Sequence, residues 1–243
     1  MKAIIHKELT FQIISEFPVP NALEFLLKGI SKPEWGKDKP TKIRWLKEWM
    51  DMPDSNTHSS KLKNDHSYKL TKSNGKFKIV FAKTGADQAT VVARLKYSAR
   101  NVKEWQLEEE YRACALELAK SFHWVVDMSS PSHVIFGWDN KLHSKIEGNF
   151  DKLWKKYYDK NKIKFNRKNS IKDIYRWAKK NIEGSYDRNS ELLDIYKKKE
   201  TIENGRGAEL GKEVIQNLAQ NIADYLHYIN KNIDFDKVIK KLP

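Results

Sequence analysis

Asp127, Asp139 and Lys141 are the residues whose types and spacing come nearest to a recognisable chemistry. An acid followed closely by an acid-x-Lys triplet (Asp139-Asn140-Lys141) can hold Mg²⁺ between carboxylates. The lysine then helps to activate water and neutralises charge developing on a phosphoryl centre. Glu110 and Glu117 lie upstream as further acids. A chain this rich in lysine forms Asp-x-Lys by composition alone, so an Mg²⁺-dependent nuclease stands as the alternative reading and not the leading one.

His123, His133 and His143 flank the same segment, and His58 and His66 flank a Ser/Asn/Asp-rich stretch at 53–65. The chain has no His-x-x-x-His pair and no paired cysteines, so no metal site is assigned from these spacings. His133 or His143 combined with Asp139 would be a second metal geometry, but His123 and His133 read first as partly buried strand residues. Ser129-Ser130 lie between histidines but without a Gly-x-Ser-x-Gly elbow. Cys114, the single cysteine, falls on an apolar stripe with no basic neighbour to activate it, and one cysteine excludes an intramolecular disulfide framework. No phosphate-binding glycine loop or dinucleotide fingerprint is present.

The strongest signal is charge. Lys and Arg number 46 against 32 Asp and Glu, a formal net charge of +14. Such a surface favours a polyanion, because each neutralised phosphate releases condensed counterions. Two collections carry it. One is Lys69, Lys76, Lys78, Arg94 and Lys96. The other is Lys155, Lys156, Lys162, Lys164, Arg167, Lys168 and Arg176, with Phe165 and Trp177 beside them as aromatics able to stack on bases. Residues 101–150 reverse the trend, with eight acidic and five basic side chains. The leading expectation is therefore a nucleic-acid-binding protein, for DNA or RNA, without a cofactor; Mg²⁺ enters only under the nuclease alternative. A further alternative is a protein–protein interaction module or inhibitor acting through its C-terminal helices, where the little-charged polar face (Asn217, Gln220, Asn221) of a long helix can pack against a partner helix or mediate dimerisation, and the basic charge equally suits an acidic protein partner.

The elements that must position these residues read as α+β. Alternating residues predict strands at 3–17, 67–73, 76–83 and 89–98, with Asn74-Gly75 as a tight hairpin turn. The last three strands form an antiparallel meander whose cationic face carries the first basic collection. Helix 103–122 follows, then short strands 123–127 and 133–138. Helices are expected at 145–158, 170–182 (capped by Ser170 and ended by Gly184), 188–200 and 208–230, with Lys160–Asn166 as a short strand or linker. This divides the chain into an α+β domain at 1–144 and a basic helical region at 145–243, packed on the first as one unit. A helix followed by acid-bearing strands is also the element order of PD-(D/E)xK nuclease cores. Residues 193–226, with Ile195-Tyr196, the run Gly207 to Ile215 and Leu218, resemble the helical N-terminal region of a bacterial family of such nucleases, over about a seventh of the chain. No apolar run of membrane-spanning length and no signal-like segment occurs, so a cytoplasmic protein is expected.

Overall fold

The computed structural model describes residues 69–74, 76–80, 91–133, 140–157, 163–166, 171–198 and 205–234, together with 9, 10, 12, 13 and 237. Apart from one hairpin, the extended segment 163–166 and short connections, these residues are helical, and the expected α+β class is corrected accordingly. In chain order they form β1 (Lys69–Ser73), β2 (Lys76–Val80), α1 (Val91–Leu107), α2 (Tyr111–Ser129), a 3-10 turn (Pro131–His133), α3 (Asn140–Tyr157), α4 (Ile174–Lys197) and α5 (Gly205–Asn232).

The hairpin stands where Asn74-Gly75 placed it. Asn74 has a φ of 50°, and Ser73 pairs with Lys76 and Lys69 with Val80 in an antiparallel register. The third strand is overturned: of its residues, 91–98 belong to α1 and 89–90 lie outside the described residues. Val91, Ala93, Leu95 and Tyr97 alternate, but Tyr97 is exposed while Leu95, Ser98, Ala99 and Val102 are buried at the helical period. A short window can satisfy both periods, and the 17-residue length of α1 decides between them. The sheet face expected to unite the first basic collection is lost with that strand. Lys69, Lys76 and Lys78 lie on the hairpin, whereas Arg94 and Lys96 lie on a helix.

The first of the two short strands predicted around the histidines is also helical. Residues 123–127 belong to α2, and His133 closes the 3-10 turn; 134–138 lie outside the described residues. Every residue from 121 to 133 is buried. A helix surrounded on all sides loses the amphipathic stripe by which it would be recognised, and its short apolar runs then read as strands. Leu9, Thr10, Gln12 and Ile13, expected in a strand, are buried in helical backbone.

Helices 170–182 and 188–200 are one element, α4. Asp173, not Ser170, caps it, its Oδ1 accepting from the Arg176 amide at 3.0 Å. Gly184 does not end it. The cost of an interior glycine, about 1 kcal/mol, is outweighed by the burial of Ile182, Ser185, Asn189 and Leu192 along one face. Arg188 Nη1 donates to the Gly184 carbonyl at 3.0 Å across that turn. One hydrophobic cluster joins α1 to α5 and draws on both sides of position 144, with Leu95, Phe122, Phe150, Ile182 and Leu218 among its members. At its centre Phe122 meets Tyr225 edge-on, ring centroids 5.4 Å apart. Such a pair contributes about 0.5–1.5 kcal/mol beyond area burial. No helix among the described residues is long and apolar enough to cross a membrane.

Candidate functional site

A chain of ionisable groups crosses this core. His123 and Asp127 lie one helical turn apart on α2, the spacing at which side chains meet, and His123 Nε2 is 3.2 Å from Asp127 Oδ2. The chain then turns sharply. The Ser130 amide donates to the Asp127 carbonyl at 3.0 Å, and the His133 amide donates to the Ser130 carbonyl at 3.1 Å. This brings His133 back beside the helix it has just left, with its Nε2 3.2 Å from Asp127 Oδ1. From α3, Glu147 Oε1 approaches the same His133 nitrogen at 3.4 Å. His123 and Asp127 are wholly excluded from solvent, and His133 and Glu147 nearly so. Trp124, packed edge-on to His123, forms an apolar wall.

Buried ionisable groups are costly in a protein interior and concentrate where chemistry needs them. Desolvation lowers the pKa of His133 below its ordinary value, against the opposing pull of Asp127 and Glu147. The imidazole is thereby kept in its neutral, electron-donating form. The donors are of the type that zinc prefers, imidazole nitrogen and carboxylate oxygen, whereas Mg²⁺ favours an all-oxygen shell. Successive members of the run stand 3.2–3.4 Å apart. In this structure the contacts run as a chain, and no three such side chains among the described residues are already grouped around a metal position. A bound ion would sit among these nitrogen and oxygen atoms in place of their direct contacts.

Of the residues expected to act together from sequence, Asp127 is at this centre, but as a helical residue among histidines. Asp139 lies outside the described residues, and Lys141 is placed only as backbone in the first turn of α3. The strand order that suggested a PD-(D/E)xK core is absent among the described residues. His123, His133 and Glu147 were missed as a set, although a helical reading of 111–129 would have paired His123 with Asp127. His143 lies at the same four-residue interval before Glu147 on α3.

The basic collections are spread over several elements. Lys96 is exposed on α1, with its Nζ 5.8 Å above the Tyr175 ring of α4. Lys155 and Lys156 lie in α3, while Lys162, Arg167 and Lys168 are outside the described residues. Lys164 is exposed; Phe165 is half-buried against the core. Arg176 is exposed in the first turn of α4. Trp177, expected to stack on a base, is packed against the core and stacks on Tyr225. Gln220 and Asn221, expected to meet a partner helix, bond within the chain to Asn166 and Ser129. Nothing in this placement supports a nucleic-acid interface.

No family model and no curated protein sequence matches the chain. Solved structures do share its fold. An alpha toxin from Clostridium absonum superposes with a TM-score of 0.58 at 14% identity, covering 94% of this chain and 62% of the toxin. The alpha-toxin of Clostridium perfringens from an avian strain gives 0.56 and 14%, over 93% and 61%. The chain thus spans about three-fifths of the length of these toxins, and at this identity the likeness shows the fold alone.

Proposed function

We propose that this protein is a metal-dependent hydrolase of phosphate esters, with His123, Asp127, His133 and Glu147 holding the ion. The buried run of contacts from His123 through Asp127 and His133 to Glu147 carries this reading. A divalent ion such as zinc would supply Lewis acidity and lower the pKa of a bound water toward neutrality. The chain's own residues do the rest. Asp127 would share the ion with both imidazoles, one carboxylate oxygen lying beside each Nε2. Burial keeps His133 neutral, the form a metal ligand must take. Trp124 excludes bulk water on the His123 side. The net charge of +14 supports an anionic substrate, since it would raise the local concentration of phosphate esters.

The test is metal analysis of the purified protein, followed by hydrolysis of bis(4-nitrophenyl) phosphate, DNA, RNA and phospholipid vesicles. The expected result is stoichiometric zinc, activity lost on chelation and restored by zinc, and at least a tenfold loss of zinc affinity in Asp127→Asn. The arm that is cleaved names the substrate class. A protein that retains no metal and shows no rise in Tm with excess zinc would overturn the proposal and leave a structural hydrogen-bond network.

A further inference from the structure

The turn that carries His133 back to Asp127 is fastened from two other helices. Asn221 of α5 reaches 92 positions back along the chain, its Nδ2 donating to Ser129 Oγ at 2.8 Å. Ser129 Oγ donates in turn to the Val125 carbonyl at 2.7 Å. On the other side Ser185 of α4 donates to the Met128 carbonyl at 3.1 Å and shares its hydroxyl with Asn181 one turn earlier. Within the turn the Ser130 and Ser132 hydroxyls pair at 2.7 Å. All of these side chains are buried.

Ser185 supplies the Met128 carbonyl, one of the end carbonyls of α2 without an intrahelical donor, whereas the Asn221–Ser129 bond joins two side chains and serves no backbone group directly. The Ser130 and His133 amides are already served by local carbonyls. The Met128 and Ser129 attachments act from outside, at the last turn of α2, where a helix end otherwise frays. They lie one and two residues past Asp127 and four and five before His133, so they set the distance between the two groups.

We propose that Asn221 and Ser185 are positioning residues that hold the 127–133 turn so that His133 meets Asp127 and Glu147. The functional consequence rests on the reading of the cluster as a metal centre; the placement itself does not. Asn221→Leu keeps side-chain bulk and removes the donor, and Ser185→Ala removes the second attachment. Each variant is compared with the wild type, metal-free, by the ring ¹⁵N resonances of its histidines at fixed pH, then by zinc affinity. The expected result is a displaced His133 signal, an unmoved His227 signal as the control on α5, and zinc binding weakened about tenfold. His133 resonances at wild-type positions in both variants would overturn the proposal. If Asn221→Leu fails to fold, Ser185→Ala decides alone. Wild-type protein that takes up no zinc would refute the functional reading, while the histidine spectra still decide the placement.

Discussion

Gln216 and Gln220 of α5 hold an extended segment as a neighbouring strand would. Gln220 Oε1 accepts from the Asn166 amide at 2.7 Å, and its Nε2 donates to the Asn166 carbonyl at 3.1 Å. Gln216 grips Lys164 in the same way, accepting from its amide at 3.2 Å and donating to its carbonyl. The match is geometric. Four helical residues rise about 6.0 Å, and two extended residues span about 6.6 Å, so glutamines one turn apart meet alternate backbone units. Replacing Gln220 by Leu removes its two bonds to Asn166, each contributing about 0.5–1.5 kcal/mol, together with a third, from Nε2 to Asp224 Oδ1 within α5. The two bonds to Asn166 face solvent, which places their sum near the low end, about 1 kcal/mol or about five-fold in the local opening equilibrium. The assay is amide hydrogen exchange. Asn166 is expected to exchange about five-fold faster in Gln220→Leu, with a smaller change at Lys164. Gln220→Glu keeps the acceptor and should protect the Asn166 amide better than Leu does. Unchanged exchange at Asn166 in Gln220→Leu, or equal loss of protection in Glu and Leu variants, would refute the argument.

Other outcomes follow from buried groups. Burial pushes the Cys114 thiol up to about 12; it should resist a disulfide reagent at pH 8 in the folded protein and react once urea unfolds it. In metal-free protein, His133 titrates below its ordinary value because of desolvation. Below about pH 6.5 the unfolded chain therefore binds a proton that the folded chain refuses. Stability is full above that pH and falls as pH drops through the window, by up to about 1.4 kcal/mol per unit. Urea titrations at pH 7.5, 6.5 and 5.5 check the sign, and a rise on acidification would contradict it. Phe122→Ala should cost about 3–5 kcal/mol, because the side chain is fully buried and packed edge-on to Tyr225. Chemical denaturation with an unchanged m-value would register that loss.

The sequence by itself determined the features that depend on neighbours along the chain. Asn74-Gly75 specified a hairpin because its turn needs left-handed backbone, which Asn74 adopts. The periodic stripe from Leu210 to Ile229 specified α5 because a half-exposed helix shows its period openly. Net charge and the inert cysteine were equally plain. Tertiary structure decided the rest, and the reason is burial. Around 121–133 packing on every side erased the polar face, so the last turns of a central helix passed for a strand, and the His123–Asp127 pair disappeared with it. Gly184 read as a stop, and only the burial of residues on both sides of it carries α4 through. The polar face of α5 looked available to a partner, yet Gln216 and Gln220 hold 164–166 while Asn221 holds the turn before His133. A side chain's partner some 50 to 90 residues away leaves no trace in local spacing, because loop closure brings the two together only after the helices have packed.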